Sequence, residues 1–260
     1  MAARSADITL KKRYGQHFLR DQSVVQNIIR AVQLDDTSSI FEIGCGDGFL
    51  TKEIVQHPHA RLWIFEIDHE WADYIKETVS DDRMHVYTEN ILDVDFSLFE
   101  PYKPWTLLAN LPYQITFPIF HMLQRNRHLL KEGVVMIQEE VAQKLVKTSG
   151  RGYGYPSLFF QHYFILKLMD KIPPSSFYPP PKVQSRLIYF KPRESVRHIP
   201  QEDDFWKFIK IVFHQPRRTV KNNIAQTHFD SSRISEDILA LRAQQMNMDD
   251  FLHLWDLIRE

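Results

Sequence analysis

The chain has 260 residues, of which 43% are hydrophobic and 25% are charged, enough apolar side chains to bury a sizeable core. Its 32 basic and 33 acidic side chains give a net charge of −1, so neither a strongly basic nor a strongly acidic protein is indicated. One cysteine excludes an internal disulfide, and no apolar run reaches the roughly 18 residues of a membrane helix, so we expect a cytoplasmic globular protein.

Apolar segments alternate with amphipathic ones over the first half of the chain. The predicted strands are 38–44, 61–68, 84–90, 105–110 and 133–138, and the predicted helices are 49–56, 70–79 and 117–126. Strands that alternate with helices imply a mostly parallel sheet covered on both faces. Two further strands, 162–169 and 185–190, flank the proline-rich loop KIPPSSFYPPPKVQ, and the chain from Asp203 is predicted to be helical. We therefore predict two domains, 1–194 and 195–260.

Charge is distributed unevenly along the chain. Residues 1–20 carry five basic and one acidic side chain, and residues 141–193 carry nine and one, whereas residues 21–140 carry nine and twenty. A fold that gathers the basic segments would present a basic face to nucleic acid; bases that are scattered and solvated fit the pattern equally well. The candidate RNA contacts are Lys11, Lys12 and Arg13 in a basic N-terminal arm (1–20), Lys144, Lys147 and Arg151, and Tyr153 and Tyr155 in a predicted flexible loop.

The segment EIGCGDGFLT (42–51) predicts a strand, a glycine-rich turn and a helix, an arrangement typical of nucleotide sites. Gly44 and its neighbours would let the backbone approach a ligand, and Glu66 follows at the spacing of a ribose-binding carboxylate. The pattern GxGxG differs from the dinucleotide pattern GxGxxG. Glu42 and Asp47 would repel a pyrophosphate but tolerate a cation, so we predict S-adenosylmethionine rather than NAD.

The predicted strand 105–110 ends in an unusual corner, Asn110-Leu111-Pro112-Tyr113. Pro112 fixes its own backbone angle and favours an extended Leu111. The amide oxygen of Asn110 and a backbone carbonyl could accept from an exocyclic amine, and Tyr113 could stack on a flat base. The corner therefore predicts methylation of an aromatic amine by positioning, without a strong base. An ordinary proline turn with Tyr113 in the core is the alternative.

The motifs together resemble the KsgA-type small-subunit ribosomal-RNA adenine dimethyltransferases. The resemblance covers nearly the whole chain, in order, and its motifs are YGQHFLRD (14–21), EIGCGDGFLT, FEID, NLPYQIT, QEEVAQKLV (138–146), FYPPPKVQS (177–185) and FHQPRRTVKNN (213–223).

The resemblance implies a Rossmann-like S-adenosylmethionine-dependent methyltransferase fold with a seven-stranded, mostly parallel sheet and a small all-helical C-terminal domain. It implies N6,N6-dimethylation of two adjacent adenosines in a hairpin loop near the 3′ end of small-subunit rRNA, in an immature 30S-type subunit. By resemblance, His17 and Leu19 contact the cofactor, and Gly44 lies under its methionine part. Phe177 would close over the target base. A monomer without a metal ion is expected.

One position departs from the family pattern. The family usually carries Asp where this chain has Asn90, and that Asp bonds the adenine amine of the cofactor. Asn90 can still accept through its side-chain oxygen, and Glu89 or Asp93 could substitute for it. Three rivals stay open: the macrolide-resistance class that dimethylates large-subunit rRNA, a DNA adenine N6-methyltransferase, and an assembly factor that acts mainly by binding.

Overall fold

A computed structural model of the chain describes residues 8, 11, 16–225, 227, 229, 230 and 232–259. The strands are β1 Phe18–Leu19, β2 Ser39–Ile43, β3 Arg61–Phe65, β4 Met84–Tyr87, β5 Trp105–Asn110, β6 Leu130–Gln138, β7 Phe164–Ile172, β8 Phe177–Tyr178 and β9 Ser185–Pro192. The α-helices are α1 Gln22–Arg30, α2 Thr51–Ile54, α3 His69–Thr78, α4 Thr116–Arg125, α5 Glu139–Val146, α6 Tyr155–Tyr163, α7 Glu202–Val212, α8 Val220–Ile224, α9 Glu236–Ala240 and α10 Met248–Ile258. Among the described helices, none is both long and apolar enough to cross a membrane.

Seven strands form one sheet in the order β4-β3-β2-β5-β6-β9-β7, which confirms the predicted seven-stranded sheet. Strands β2 to β6 pair in parallel, and β9 runs antiparallel to β6. Every residue of β2 is buried, as expected for a parallel strand covered on both faces. The chain crosses from β4 to β5 on the other side of β2, which creates a topological switch point where ligands bind in such folds.

A separate two-stranded sheet ties the N-terminal motif to the proline-rich loop. Strands β1 and β8 pair antiparallel, with Phe18 opposite Tyr178 and Leu19 opposite Phe177. The backbone N–H of Arg20 extends this contact by donating to the carbonyl of Ser176 at 2.8 Å. Residues more than 150 positions apart are therefore held side by side.

The chain divides into two compact units, and their bounds differ from the two predicted domains. One unit contains the described residues up to 142 and residues 165–192, and the other contains 143–164 and the described residues from 193 onward. The segment 143–164 joins the second unit because its helix α6 shares an aromatic core with α7. Trp206 packs on Phe159 with 4.8 Å between ring centroids, and its indole N–H donates to Tyr163 Oη at 2.9 Å.

The predicted loop assignment is wrong for Tyr155, whereas Tyr153 lies in the non-helical segment before α6 but is buried. Tyr153 is only 4% exposed and packs edge-on against Phe213. Tyr155 begins helix α6, and the ammonium of Lys210 lies 4.8 Å from its ring centroid. The glycines around these tyrosines suggested a loop, but tertiary packing orders both rings within the second unit.

Candidate active site

A cavity of about 230 Å³ lies where the carboxyl ends of β2, β3 and β5 meet. All the predicted site residues except Phe177 line it: His17, Leu19, Gly44, Glu66, Asn90, Asn110, Leu111, Pro112 and Tyr113. The sheet topology explains the gathering, because consecutive parallel strands end at the same edge.

The glycine turn after β2 requires glycine for two reasons. Gly44 and Gly46 have φ angles of +73° and +51°, in the left-handed region that disfavours other residues. A Cβ atom on Gly46 would also lie 2.4 Å from Cε1 of Phe18, closer than atoms can approach. The turn therefore brings bare backbone to the cavity, and Phe18 packs over it.

Glu66 directly follows β3, and two hydrogen bonds fix its carboxylate. Its side chain is buried, and its two carboxylate oxygens accept from the backbone N–H groups of Gly46 at 3.0 Å and Asp68 at 2.9 Å. Burial raises the pKa of Glu66, while these two hydrogen bonds act in the opposite direction. Each carboxylate oxygen keeps lone-pair capacity for a ligand hydroxyl, as the predicted ribose contact requires.

The electrostatic argument against a pyrophosphate is wrong for the two acids on which it depended. Glu42 is 1% exposed, accepts from Thr51 Oγ1 at 2.8 Å, and burial raises its pKa to about 8. Asp47 forms an ion pair with Arg20. Burial thus favours the neutral form of Glu42, and Asp47 is already paired with Arg20, so neither acid is free to select a cationic ligand.

The amide of Asn110 has a defined orientation. Its Nδ2 donates to the backbone carbonyl of His17 at 3.1 Å, which leaves Oδ1 as the acceptor available to a ligand. Leu111 is 1% exposed, and its N–H donates to the Met136 carbonyl. The carbonyl of Pro112 accepts from Ile115 N–H at 3.1 Å and closes the turn.

Tyr113 is anchored at both its ring and its hydroxyl. Its Oη lies 2.6 Å from Ser185 Oγ at the start of β9, and burial raises its pKa. The ring stands nearly parallel to the imidazole of His17, with 6.1 Å between centroids. Tyr113 is half-buried rather than packed wholly in the core, so an aromatic face stays at the cavity.

Phe177 does not reach the cavity in this structure. Its side chain is 5% exposed and packs in the hydrophobic core with Leu19 and Ile172. The strand pairing places Phe177 opposite Leu19 on the same face of the small sheet, and of the two only Leu19 lines the cavity. The expected closure of Phe177 over a base stays a prediction.

Asn90 lines the cavity, but its side chain already makes two local hydrogen bonds. Its Oδ1 accepts from Leu92 N–H at 3.2 Å, and its Nδ2 donates to Asp93 at 2.9 Å. Glu89 lines the same cavity. Oδ1 keeps a second lone pair for an adenine amine, and this contact stays a prediction.

Sequence reasoning missed the part that Asp68 plays. This carboxylate is 1% exposed and accepts from Lys11 Nζ at 2.6 Å and Gln16 Nε2 at 3.2 Å. Lys11 also pairs with Glu70 at 2.7 Å. Both carboxylates hold the ammonium of Lys11 in this structure, and its contact with RNA phosphates stays a prediction. Lys12 and Arg13 lie outside the described residues.

The cavity fits a nucleoside-type cofactor. A buried carboxylate, Glu66, faces it for hydroxyl groups, and Ile67 beside it is an apolar side chain that is 45% exposed. The bare backbone at Gly44 allows close approach, since a Cβ there would meet only Pro112, at 3.8 Å. Among the described residues, no group of three or more His, Cys, Asp or Glu side chains is placed to hold a metal ion.

Comparison with known proteins identifies the family to which the chain is similar. The model of one protein family, described as ribosomal RNA adenine dimethylase, matches residues 8–258. A relative from Chlorobium phaeobacteroides, named ribosomal RNA small subunit methyltransferase A, is 32% identical over 254 residues, which cover 97% of this chain and 93% of the relative.

Two solved structures have a similar fold. A dimethyladenosine transferase from Plasmodium falciparum superimposes with a TM-score of 0.79 at 22% identity, over 92% of this chain and 96% of that one. The 23S rRNA methyltransferase ErmE superimposes with a TM-score of 0.72 at 19% identity, over 94% of this chain and 100% of that one. At these identities the likeness establishes the fold alone.

Proposed function

The chain belongs to the ribosomal RNA adenine dimethylase family, and we propose that it dimethylates N6 of two adjacent adenosines in small-subunit rRNA. As a member of that family it is an S-adenosylmethionine-dependent methyltransferase. The observation that carries the finer proposal is the fixed amide of Asn110 beside Tyr113. The name of the relative from Chlorobium phaeobacteroides supports the small subunit over the large one.

One set of residues around the cavity binds the cofactor, and another set positions the target base. When bound, S-adenosylmethionine supplies an electrophilic methyl group, and Glu66, Asn90, His17 and Leu19 are the side chains placed to hold it. Gly44 presents backbone to the same ligand.

Asn110 and Leu111 act on the target amine. The Oδ1 of Asn110 accepts one N–H of the adenine N6 group, and we assign the second acceptor to the carbonyl of Leu111, since the Pro112 carbonyl already receives an N–H. Two accepted hydrogen bonds draw the nitrogen lone pair out of conjugation with the ring and make it a better nucleophile. The methylated amine then releases its proton to solvent, so positioning and electrostatics suffice.

Tyr113 holds the plane of the base. Stacking on an aromatic ring contributes about 1–3 kcal/mol per base, and the bond from Tyr113 Oη to Ser185 keeps the ring from rotating away. The free Cys45 is buried, and burial raises the pKa of its thiol well above the ordinary value. A cysteine-based methylation of a ring carbon is therefore disfavoured.

The test is transfer of labelled methyl groups from S-adenosylmethionine to unmethylated small and large ribosomal subunits, assayed side by side. The expected result is label in the small subunit, recovered after digestion as N6,N6-dimethyladenosine. Label in the large subunit would instead assign the protein to the macrolide-resistance class. Label in neither, with the cofactor bound, would indicate an assembly factor.

The same proposal includes a monomer that acts in the cytoplasm on an immature 30S-type subunit. Asn110→Ala separates chemistry from assembly, because it removes the acceptor for N6 and leaves the protein surface almost unchanged. If the variant loses methylation yet supports normal subunit maturation in cells that lack their own enzyme, binding carries the biological role. If maturation fails together with methylation, the methyl transfer itself is required for the biological role.

A further inference from the structure

The loop after β8 presents an exposed aromatic ring beside the cavity. Tyr178 is 63% exposed and Val183 is 44% exposed, two of the few large apolar side chains that are open to solvent among the described residues. Lys182 lies between them in sequence and is also exposed. A patch of aromatic and aliphatic side chains with one positive charge suits a nucleic-acid base and its backbone.

The register of the small sheet fixes the direction in which Tyr178 points. Residues directly opposite in an antiparallel pair project to the same face, and Tyr178 lies opposite Phe18. Phe18 packs over the glycine turn at Gly46. Tyr178 therefore shares the face of Phe18, which lines the cavity, and its ring is exposed, whereas the ring of Phe177 is buried.

The loop is held firmly at both ends. At one end, the His17 ring donates through Nδ1 to the Pro179 carbonyl at 2.8 Å, and Ser176 Oγ donates to Asp21 at 3.0 Å. At the other end, Ser185 bonds to the hydroxyl of Tyr113. The backbone that carries Tyr178 is thus preorganised, which lowers the conformational entropy that binding through this loop would cost.

On the basis of the proposed function, we propose that Tyr178 stacks on a second RNA base, the neighbour of the adenine in the cavity. When one of two adjacent adenosines enters the cavity, its neighbour loses a stacking partner. Tyr178 offers a replacement face at the rim, and Lys182 offers charge to the connecting phosphate. Tyr178 is not among the residues that line the cavity, so its exposed ring is not placed to contact a cofactor inside it.

The test compares Tyr178→Ala with Tyr178→Phe in methyl transfer to unmethylated small subunits at saturating S-adenosylmethionine. Tyr178→Ala is expected to lower kcat/KM for the subunit about tenfold or more, the size of a lost base–aromatic stack. Tyr178→Phe keeps the ring and should stay within about twofold of wild type. Calorimetric affinity for S-adenosylmethionine and the unfolding temperature should be unchanged in both variants. Leu98→Ala is the matched control, because Leu98 is 68% exposed on another element.

Three results would overturn the inference. Wild-type kcat/KM in Tyr178→Ala would show that no base uses the ring. Equal losses in the Ala and Phe variants would assign the effect to the hydroxyl. A matching loss of cofactor affinity in Tyr178→Ala would make the ring a cofactor contact.

A second measurement separates this inference from the proposed function. An RNA hairpin with two adjacent loop adenosines, one replaced by fluorescent 2-aminopurine, is titrated with wild type and with Tyr178→Ala. Quenching that depends on Tyr178 supports the stack even if the wild type transfers no methyl group, in which case only the proposed function fails. Equal quenching by both proteins refutes the stack.

Discussion

Replacing Glu42 by glutamine is expected to make the protein more stable at neutral and alkaline pH without weakening cofactor binding. Glu42 lies in β2 beneath the glycine turn, is 1% exposed, and has as its hydrogen-bond partner the hydroxyl of Thr51. Burial raises its pKa from an ordinary 4.5 to about 8. The amide introduced by Glu42→Gln is the neutral isostere of the protonated side chain.

The magnitude follows from proton linkage. An acid whose pKa is raised on folding binds its proton more tightly in the native state. Its contribution to stability is therefore complete below pH 4.5 and is lost as the pH rises towards 8. With about 1.36 kcal/mol per pKa unit, the wild type should lose on the order of 3 to 4 kcal/mol between about pH 5 and pH 8 through this group. The Glu42→Gln variant should not show this loss.

The assay is urea unfolding of wild type and Glu42→Gln at intervals from about pH 5 to pH 8. The difference in unfolding free energy between the two should grow steadily in favour of the variant. Glu100→Gln is the matched control, because Glu100 is half-exposed and pairs with Lys103 at the surface, so its curve should stay parallel to that of the wild type. Parallel curves for Glu42→Gln would refute the raised pKa.

The affinity for S-adenosylmethionine provides a second test of the raised pKa of Glu42. Because burial favours the neutral form of Glu42 at pH 7, Glu42→Gln should change the affinity for S-adenosylmethionine by less than about twofold. A tenfold loss at pH 7 would mean that a charged Glu42 attracts the sulfonium.

Three further predictions concern the contacts of the site. Asn110→Ala should slow methyl transfer at least about 100-fold, as loss of a preorganised polar contact does. The unfolding temperature should fall only slightly, because the variant loses one hydrogen bond to His17. Transfer within tenfold of wild type would contradict the acceptor role. Tyr113→Phe should stay within about fivefold in transfer rate because it loses only the bond to Ser185, whereas Tyr113→Ala should slow transfer about tenfold or more; equal rates would exclude stacking. Glu66→Ala should weaken calorimetric binding of S-adenosylmethionine about tenfold or more, since hydrogen bonds to a charged group contribute about 1.5–3 kcal/mol, and unchanged affinity would contradict the ribose contact.

Local patterns in the sequence predicted the strand, the turn and the carboxylate that surround the cavity. Strand β5 has the predicted bounds, Trp105–Asn110, because five buried residues precede a proline corner. The turn at Gly44 and the carboxylate of Glu66 also follow from spacing, since parallel strands bring their carboxyl ends together. Such features depend on neighbours along the chain, and one sequence is enough to find them.

Features that depend on distant packing were not predictable in the same way. The charge state of Glu42 is decided by the strands on both sides of β2, and the sequence shows only an acid near glycines. Tyr153 and Tyr155 were assigned to a loop because glycines surround them, yet aromatic partners on α7 and at Phe213 order them. In each case tertiary contacts outweighed a local signal.

The N-terminal segment is a further case in which distant contacts, rather than local sequence, decide the geometry at the cavity. Its basic residues suggested an arm for RNA, and its described part also lines the cavity. The carbonyl of His17 fixes the amide of Asn110. The carbonyl of Pro179 can only accept, so the proton of the His17 imidazole lies on Nδ1 and the ring is held against the proline-rich loop. The acceptor geometry at Asn110 thus depends on two segments more than 60 residues away on either side, and the corner NLPY alone does not orient its amide.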